Sequence, residues 1–129
     1  DMTKKKIDFK KFAVLNALLL RSLLSKIILK RIKIKWPNDL FYKKEKVCGI
    51  LQELITYNKK NYLIVGIGLN TNVVPKNKGF SSTSLKNIVN KKIENKKILK
   101  KIKDKYEKLL LETKKFSFIE LRNKYKRLT

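Results

Sequence analysis

The hydrophobic period of this chain changes abruptly near residue 30. Phe9, Phe12, Ala13, Asn16, Leu19, Leu20, Leu23, Leu24 and Ile27 recur at three- and four-residue spacing, which predicts an amphipathic helix over residues 8–29 whose stripe must pack on something. From Ile32 the pattern is alternation, with Ile32, Ile34 and Trp36 separated by charged residues. That reads as a half-buried strand, and Pro37 must end it or push it to an edge.

Sheet signals continue from there. Asn38 and Asp39 read as a turn, then Leu40 to Tyr42 and Val47 to Ile55 flank a charged stretch, as in a hairpin with a solvated tip. A second turn at Asn58 to Asn61 leads into Tyr62 to Ile67, apolar enough for a central strand. Thr71 to Phe80, with Pro75 and Gly79, reads as a loop, followed by a short helical piece after Thr83. Ile98, Leu99, Ile102, Tyr106, Leu109, Leu110 and Thr113 mark one face of a helix over about 94–114, and Ser117 with Glu120 is a capping-box signature for a last helix to Arg127. The expected fold class is α+β, a mixed and mainly antiparallel sheet packed by helices. No repeat or linker divides residues 1–129, so they read as one domain.

Composition narrows the chemistry. The 129 residues are 43% hydrophobic, enough for one core. Lys and Arg outnumber Asp and Glu by 34 to 10, a formal charge of +24. Only four of the 34 are arginine, and the 30 lysines run from Lys4 to Lys126 beside 11 Asn and 14 Ile. This reads as compositional bias rather than a concentrated nucleic-acid face, so specific nucleic-acid binding is not expected. There is no histidine and one cysteine, Cys48. An internal disulfide, Ser-His-Asp or Cys-His catalysis and a histidine or Cys-rich metal site are excluded within the chain. Catalysis must use Lys, Asp, Glu, backbone N–H groups or a borrowed metal ion, and a reducing, cytoplasmic setting fits best. Phe12 to Leu20, the most apolar stretch, is too short to span a bilayer, so no membrane is expected.

Three constellations stand out. Lys35-Trp36-Pro37-Asn38-Asp39 compresses charged, aromatic, rigid and short polar side chains where a strand ends, although a plain turn with Trp36 in the core has the same pattern. Lys46-Val47-Cys48-Gly49-Ile50 places a cation three residues before a glycine that permits close backbone approach. Val65-Gly66-Ile67-Gly68-Leu69-Asn70 has two glycines at a strand end but no third glycine and no following helix, so it is no dinucleotide fingerprint, and no P-loop exists.

Together, in order and spacing, these segments resemble the catalytic core of biotin protein ligases: Lys35-Trp36-Pro37-Asn38-Asp39, Lys46 with Gly49-Ile50-Leu51 and Glu53, then Gly66-Ile67-Gly68-Leu69-Asn70. Thr83-Ser84-Leu85, with Ser82 before it, resembles that family's Ala-Thr-Ser-Leu segment. Related lipoate ligases share the fold but lack the Lys-Trp-Pro-Asn-Asp motif. The resemblance implies a fold shared with class II aminoacyl-tRNA synthetase cores. It implies an enzyme that joins biotin and ATP, with Mg²⁺, into biotinyl-5′-adenylate. That enzyme then passes the biotinyl group to a lysine of a biotin carboxyl carrier domain of a carboxylase.

By the same resemblance, Lys46 is the catalytic lysine between the biotin carboxylate and the α-phosphate. Asp39 orients the incoming carrier lysine and, with Asn38, holds the adenylate or metal. Gly49, Gly66 and Gly68 let the ligand lie against backbone, Asn70 faces the nucleotide, and Lys35 is a phosphate contact or a surface lysine. Trp36 shapes the strand end at the binding site, and Thr83 and Ser84 belong to the binding segment. No residue is assigned as a standing metal ligand, and Cys48 reads as core packing. The family's upstream Gly-Arg-Gly-Arg-like loop and its small β-barrel domain have no counterpart here, so the expectation is an incomplete catalytic domain, with little activity alone and with uncovered sheet edges. A homodimer is compatible with this. The rival readings are a lysine-rich nucleic-acid-binding module and a degenerate, non-catalytic homologue.

Overall fold

The computed structural model describes residues 7–76 and 80–128. Asp8 starts the first helix by accepting a hydrogen bond from the Lys11 amide at 2.9 Å, which satisfies one of the four unpaired donors of a helix N-terminus. This helix, α1, runs Phe9–Ile28 and ends where Leu29 turns left-handed at φ 55°. Every residue from Leu15 to Leu20 is buried, so α1 is covered on several sides, more than one amphipathic stripe requires. The sheet lies against one side, and helices close the others.

Ser25 Oγ accepts from the Ile32 amide at 3.0 Å inside the core and fixes the connection into the sheet. The strands are β1 (Lys33–Lys35), β2 (Asp39–Tyr42), β3 (Glu45–Tyr57) and β4 (Lys60–Leu69). They lie in sequence order, and every pair is antiparallel. One parallel bridge, Lys46 to Ser82, adds the only parallel element among the described residues. The β3–β4 turn is built on Asn58 and Lys59, both at positive φ, the backbone that matches the twist of a two-residue hairpin. Then follow α2 (Leu85–Val89), α3 (Asn95–Glu112) and α4 (Phe118–Arg127). Ser117 and Glu120 form the reciprocal capping box at α4. No helix of the described residues is long and apolar enough to cross a membrane.

A buried polar network crosses the layers. Asn16 of α1, fully buried, donates to Gln52 Oε1 of β3 and accepts from the Tyr106 hydroxyl of α3 at 2.9 Å. Gln52 in turn donates to the Phe9 carbonyl at 2.7 Å. Such groups are tolerated in a core only when paired, and here they join helix, sheet and helix at one point. Glu112 of α3 is likewise buried, accepting from the Tyr125 hydroxyl at 2.6 Å and paired with the Lys124 ammonium.

Several expectations are corrected. The turn occupies residues 36–38, and Asp39 is the first residue of β2, paired with Lys35. The strand containing Tyr62 to Ile67 is an edge of the described sheet and is nowhere fully buried, because the helical layer covers one face only. Trp36 is outside the core, 54% exposed. Leu99, 67% exposed, and Leu110 point away from the face on which Ile98 and Leu109 pack, since the α3 contact is narrower than its apolar stripe. Of the loop over 71–80, residues 77–79 lie outside the described residues.

Candidate active site

Lys46 and Gly49 are three residues apart on β3, so in a regular strand their side chains would point to opposite faces. The register prevents this. Asp39 and Leu40 pair with Gly49 and Cys48, whereas Phe41 and Tyr42 pair with Lys46 and Glu45, leaving Val47 as one extra residue on β3. This bulge turns the strand so that Val47 and Cys48 both enter the core. Lys46 thereby joins Asp39 and Gly49 on the face away from α1.

The Lys46 ammonium then sits 3.1 Å from Asp39 Oδ1, with side-chain exposures of 25% and 31%. A Cβ built on Gly49 would lie 3.2 Å from Lys46 Nζ and 3.3 Å from its Cε, so the glycine makes the room in which the ammonium lies. Phe80 closes the other side, its ring centroid 5.1 Å from Nζ. The backbone around Lys46 is held from both directions: its amide donates to the Ser81 carbonyl and its carbonyl accepts from the Thr83 amide, each at 2.9 Å.

The same face continues across β4. Gly68 is directly opposite Gly49, and Gly66 is opposite Leu51. Added Cβ atoms at Gly66 and Gly68 would meet only ordinary contacts, none closer than 3.7 Å, and no glycine here has positive φ. Neither crowding nor backbone conformation requires these two glycines. Their effect is a strip of bare backbone beside the Lys46–Asp39 pair, on which a flat ligand can lie.

Asn70 ends this strip. Its amide donates to the Val47 carbonyl at 3.0 Å, its side chain donates to the Thr83 carbonyl at 3.1 Å, and its carbonyl accepts from Leu85 at 2.9 Å. Thr83 and Ser84 are buried, and Ser84 Oγ accepts from the Asn87 amide as the cap of α2. These two residues therefore border the site from below, and the Ser84 hydroxyl is committed to the helix. The Asn38 side of the turn is tied to β3 by the Ile50 amide donating to the Asn38 carbonyl at 2.8 Å. Lys35 pairs with Asp39 on the outer edge, its ammonium 5.6 Å from the Phe41 ring centroid.

Trp36 is not gathered with these residues. It lines a separate cavity of about 830 Å³ between α1, β1 and α4, to which neither Lys46 nor Asp39 contributes. Phe80 was not singled out by sequence, and only the parallel pairing of Lys46 with Ser82 brings it over the lysine. Cys48 is buried, and desolvation pushes its thiol up to about 12 against the opposing pull of Lys46, so it is held as an uncharged core group. No cluster of three or more metal-ligating side chains occurs among the described residues. Asp39 presents its carboxylate beside Lys46 at one end of the strip.

The chain and its fold have counterparts among known proteins. The family model described as the biotin/lipoate A/B protein ligase family matches residues 5–70. Apo biotin protein ligase from Aquifex aeolicus superposes with a TM-score of 0.74 at 30% identity, over 91% of this chain and 52% of that one. The Aquifex aeolicus enzyme in complex with biotin and ATP gives 0.76 at 29% identity, over 92% of this chain and 50% of that one. The Leishmania major biotin protein ligase in complex with biotinyl-5-AMP gives 0.70 at 18% identity, over 96% and 56%, a likeness of fold. The chain thus spans about half the length of the solved structures it matches.

Proposed function

The chain belongs to the biotin/lipoate A/B protein ligase family, and from that premise we propose that it forms the lysine-bearing part of a biotin protein ligase's catalytic domain. Biotin and ATP are its substrates, and a lysine of a biotin carboxyl carrier domain is its acceptor. The observation that carries this reading is the Lys46–Asp39 pair at 3.1 Å beside a strip of glycine backbone. This arrangement lets a carboxylate and a phosphate be brought together over bare sheet while a fixed cation lies beside them.

In the first half-reaction the biotin carboxylate oxygen attacks the α-phosphorus of ATP. A carboxyl–phosphate bond forms, the bond to the β-phosphate oxygen breaks, and pyrophosphate departs. Two anions must approach, and charge grows on the α-phosphate oxygens. Lys46 neutralises both, and the Asp39 contact keeps its ammonium aimed while leaving hydrogen-bond donors free. The Gly66 and Gly68 strip receives the flat part of the ligand, and Asn70 and Asn38 bound the nucleotide end. Magnesium arriving with ATP would take Asp39 as its protein carboxylate and supply further charge neutralisation.

In the second half-reaction an uncharged carrier amine attacks the mixed anhydride and AMP leaves. Asp39 is the side chain positioned to orient that amine and accept its proton. Lys35, on the outer edge, faces approaching phosphate. Thr83 and Ser84 act through the backbone that they hold under Lys46 and Asn70.

The test is ATP-dependent transfer of labelled biotin to a carrier domain by the complete gene product, with biotin-dependent pyrophosphate exchange measured separately. Lys46→Ala is expected to depress the exchange by about a hundredfold or more while preserving the thermal melt. Normal exchange in that variant would remove Lys46 from the chemistry. No transfer and no exchange from a folded complete protein would refute the reading.

A further inference from the structure

The arginines, scattered at positions 21, 31, 122 and 127 of the sequence, are not scattered in space. Three of the four, Arg21, Arg31 and Arg122, line the 830 Å³ groove between α1, β1 and α4, with Lys33, Trp36 and Phe118, and no acidic side chain lines it among the described residues. Arg21 forms the groove wall: its Nη2 donates to the Tyr125 and Lys126 carbonyls at 3.3 and 3.1 Å, securing the C-terminal end of α4. Its Nε is buried without a hydrogen-bond partner. Burial, and then the like charge of Arg31, holds its guanidinium below the usual range. The cluster is therefore uncompensated in a concave setting, where a positive field is strongest.

Two aromatic side chains, Trp36 and Phe118, line the groove. Phe118 is already held between cations, with Lys11 and Arg122 each 5.8 Å from its centroid. Trp36, at the end of β1, is 54% exposed. Planar guanidinium groups with an open indole are the combination that binds a phosphate backbone carrying an unpaired base. A duplex hides its base faces, and an acidic peptide has no use for the indole.

We propose that the α1–β1–α4 groove binds single-stranded nucleic acid, with phosphates on Arg31, Arg122 and Lys33 and a base stacked on Trp36. Lysines spread along the chain argued against such a face at the level of sequence, and the clustering of the arginines removes that objection. The proposal is independent of the ligase reading, because the groove shares no residue with the Lys46–Asp39 pair.

Trp36 is the chain's one tryptophan, so its fluorescence reports on the groove itself. The chain is titrated with a short oligothymidylate over a series of salt concentrations, following Trp36 emission and the anisotropy of the labelled strand. Binding is expected to quench Trp36 in proportion to occupancy. Arg31→Ala with Arg122→Ala, both at exposed positions, should weaken binding about tenfold and lower the log–log salt slope by about 1.4, two contacts at about 0.7 each. Lys96→Ala with Lys100→Ala, removing the same charge from the exposed side of α3, should change affinity by less than about twofold. Equal loss in both double variants, or binding without quenching, would overturn the proposal. So would displacement of the oligonucleotide and equal quenching by polyglutamate, which would make the groove a dock for acidic protein.

Discussion

Replacing Gly49 with alanine separates the chemistry of the site from the stability of the fold. Gly49 does not have positive φ, so alanine fits the backbone, and loss of glycine's freedom in the unfolded chain favours folding by about 0.4–1 kcal/mol. Against this, the new Cβ would lie 3.2 Å from Lys46 Nζ and 3.3 Å from Cε. Ordinary contact is about 3.5–4.0 Å, and the mobile end of the lysine is what yields, by a few tenths of an ångström. The Lys46–Asp39 pair is a quarter to a third exposed, so loosening it costs at most about 1 kcal/mol. The two terms nearly cancel, and the melting temperature should stay within about 4 °C of the parent.

Activity has no such compensation. Misplacement by 1 Å costs about a hundredfold, so a shift of several tenths should reduce kcat for adenylate formation about tenfold. Gly68→Ala is the companion variant, because its Cβ would meet only the Gly49 carbonyl, at 3.7 Å. It covers the bare strip without touching Lys46, and should raise KM for biotin more than it lowers kcat. Thermal melts with kcat and KM for each substrate in pyrophosphate exchange provide the readout. Wild-type kcat and KM in Gly49→Ala at an unchanged melting temperature would refute the role given to the ammonium's position. A loss of stability beyond about 3 kcal/mol would show that the backbone, not the lysine, bears the crowding.

Three further outcomes follow from the packing. Asn16→Ala leaves the half-buried Tyr106 hydroxyl and Gln52 Oε1 without the partner each has now and should destabilise by about 1–3 kcal/mol in urea unfolding; a change under 0.5 kcal/mol, about the size of a surface substitution, would contradict the network. Burial raises the affinity of Glu112 for its proton, but the Lys124 and Tyr125 contacts outweigh it and its pKa is lowered on balance; its contribution is therefore complete above the ordinary glutamate value and is lost as pH falls through the lower folded one. Glu112→Gln should accordingly flatten the acid side of the stability profile, and an unaltered profile would remove Glu112 from it. Cys48, with its thiol raised to about 12, should resist iodoacetamide at neutral pH until the chain is unfolded, and rapid alkylation of the native protein would show that β3 opens locally.

Local signals survive folding where the physics is local. The three-four spacing before residue 28, the break at Pro37, the capping box at Ser117 and the turn at Asn58 act on neighbouring residues, and each appears as an element boundary in the structure. The motif order from Lys35 to Asn70 was sufficient to indicate the family, because those residues follow one another along four consecutive strands. The sequence by itself also excluded histidine chemistry and an internal disulfide within the chain, which has no histidine and one cysteine.

Pairing register and facing are non-local, and only the tertiary structure decided them. The extra residue at Val47 brings Lys46 round to Asp39 and Gly49; a bulge depends on the partner strand and leaves no periodic mark in its own. Tyr62 to Ile67 has the composition of a central strand yet lies at the edge of the described sheet, because composition reports apolarity and not what covers it. Trp36 turned outward, away from both the core and the Lys46 pair, while arginines a hundred positions apart met in one groove. That last convergence has the plainest physical reason: α4 packs back on α1, and where a returning helix sets its side chains is a property of the packed pair, not of either segment.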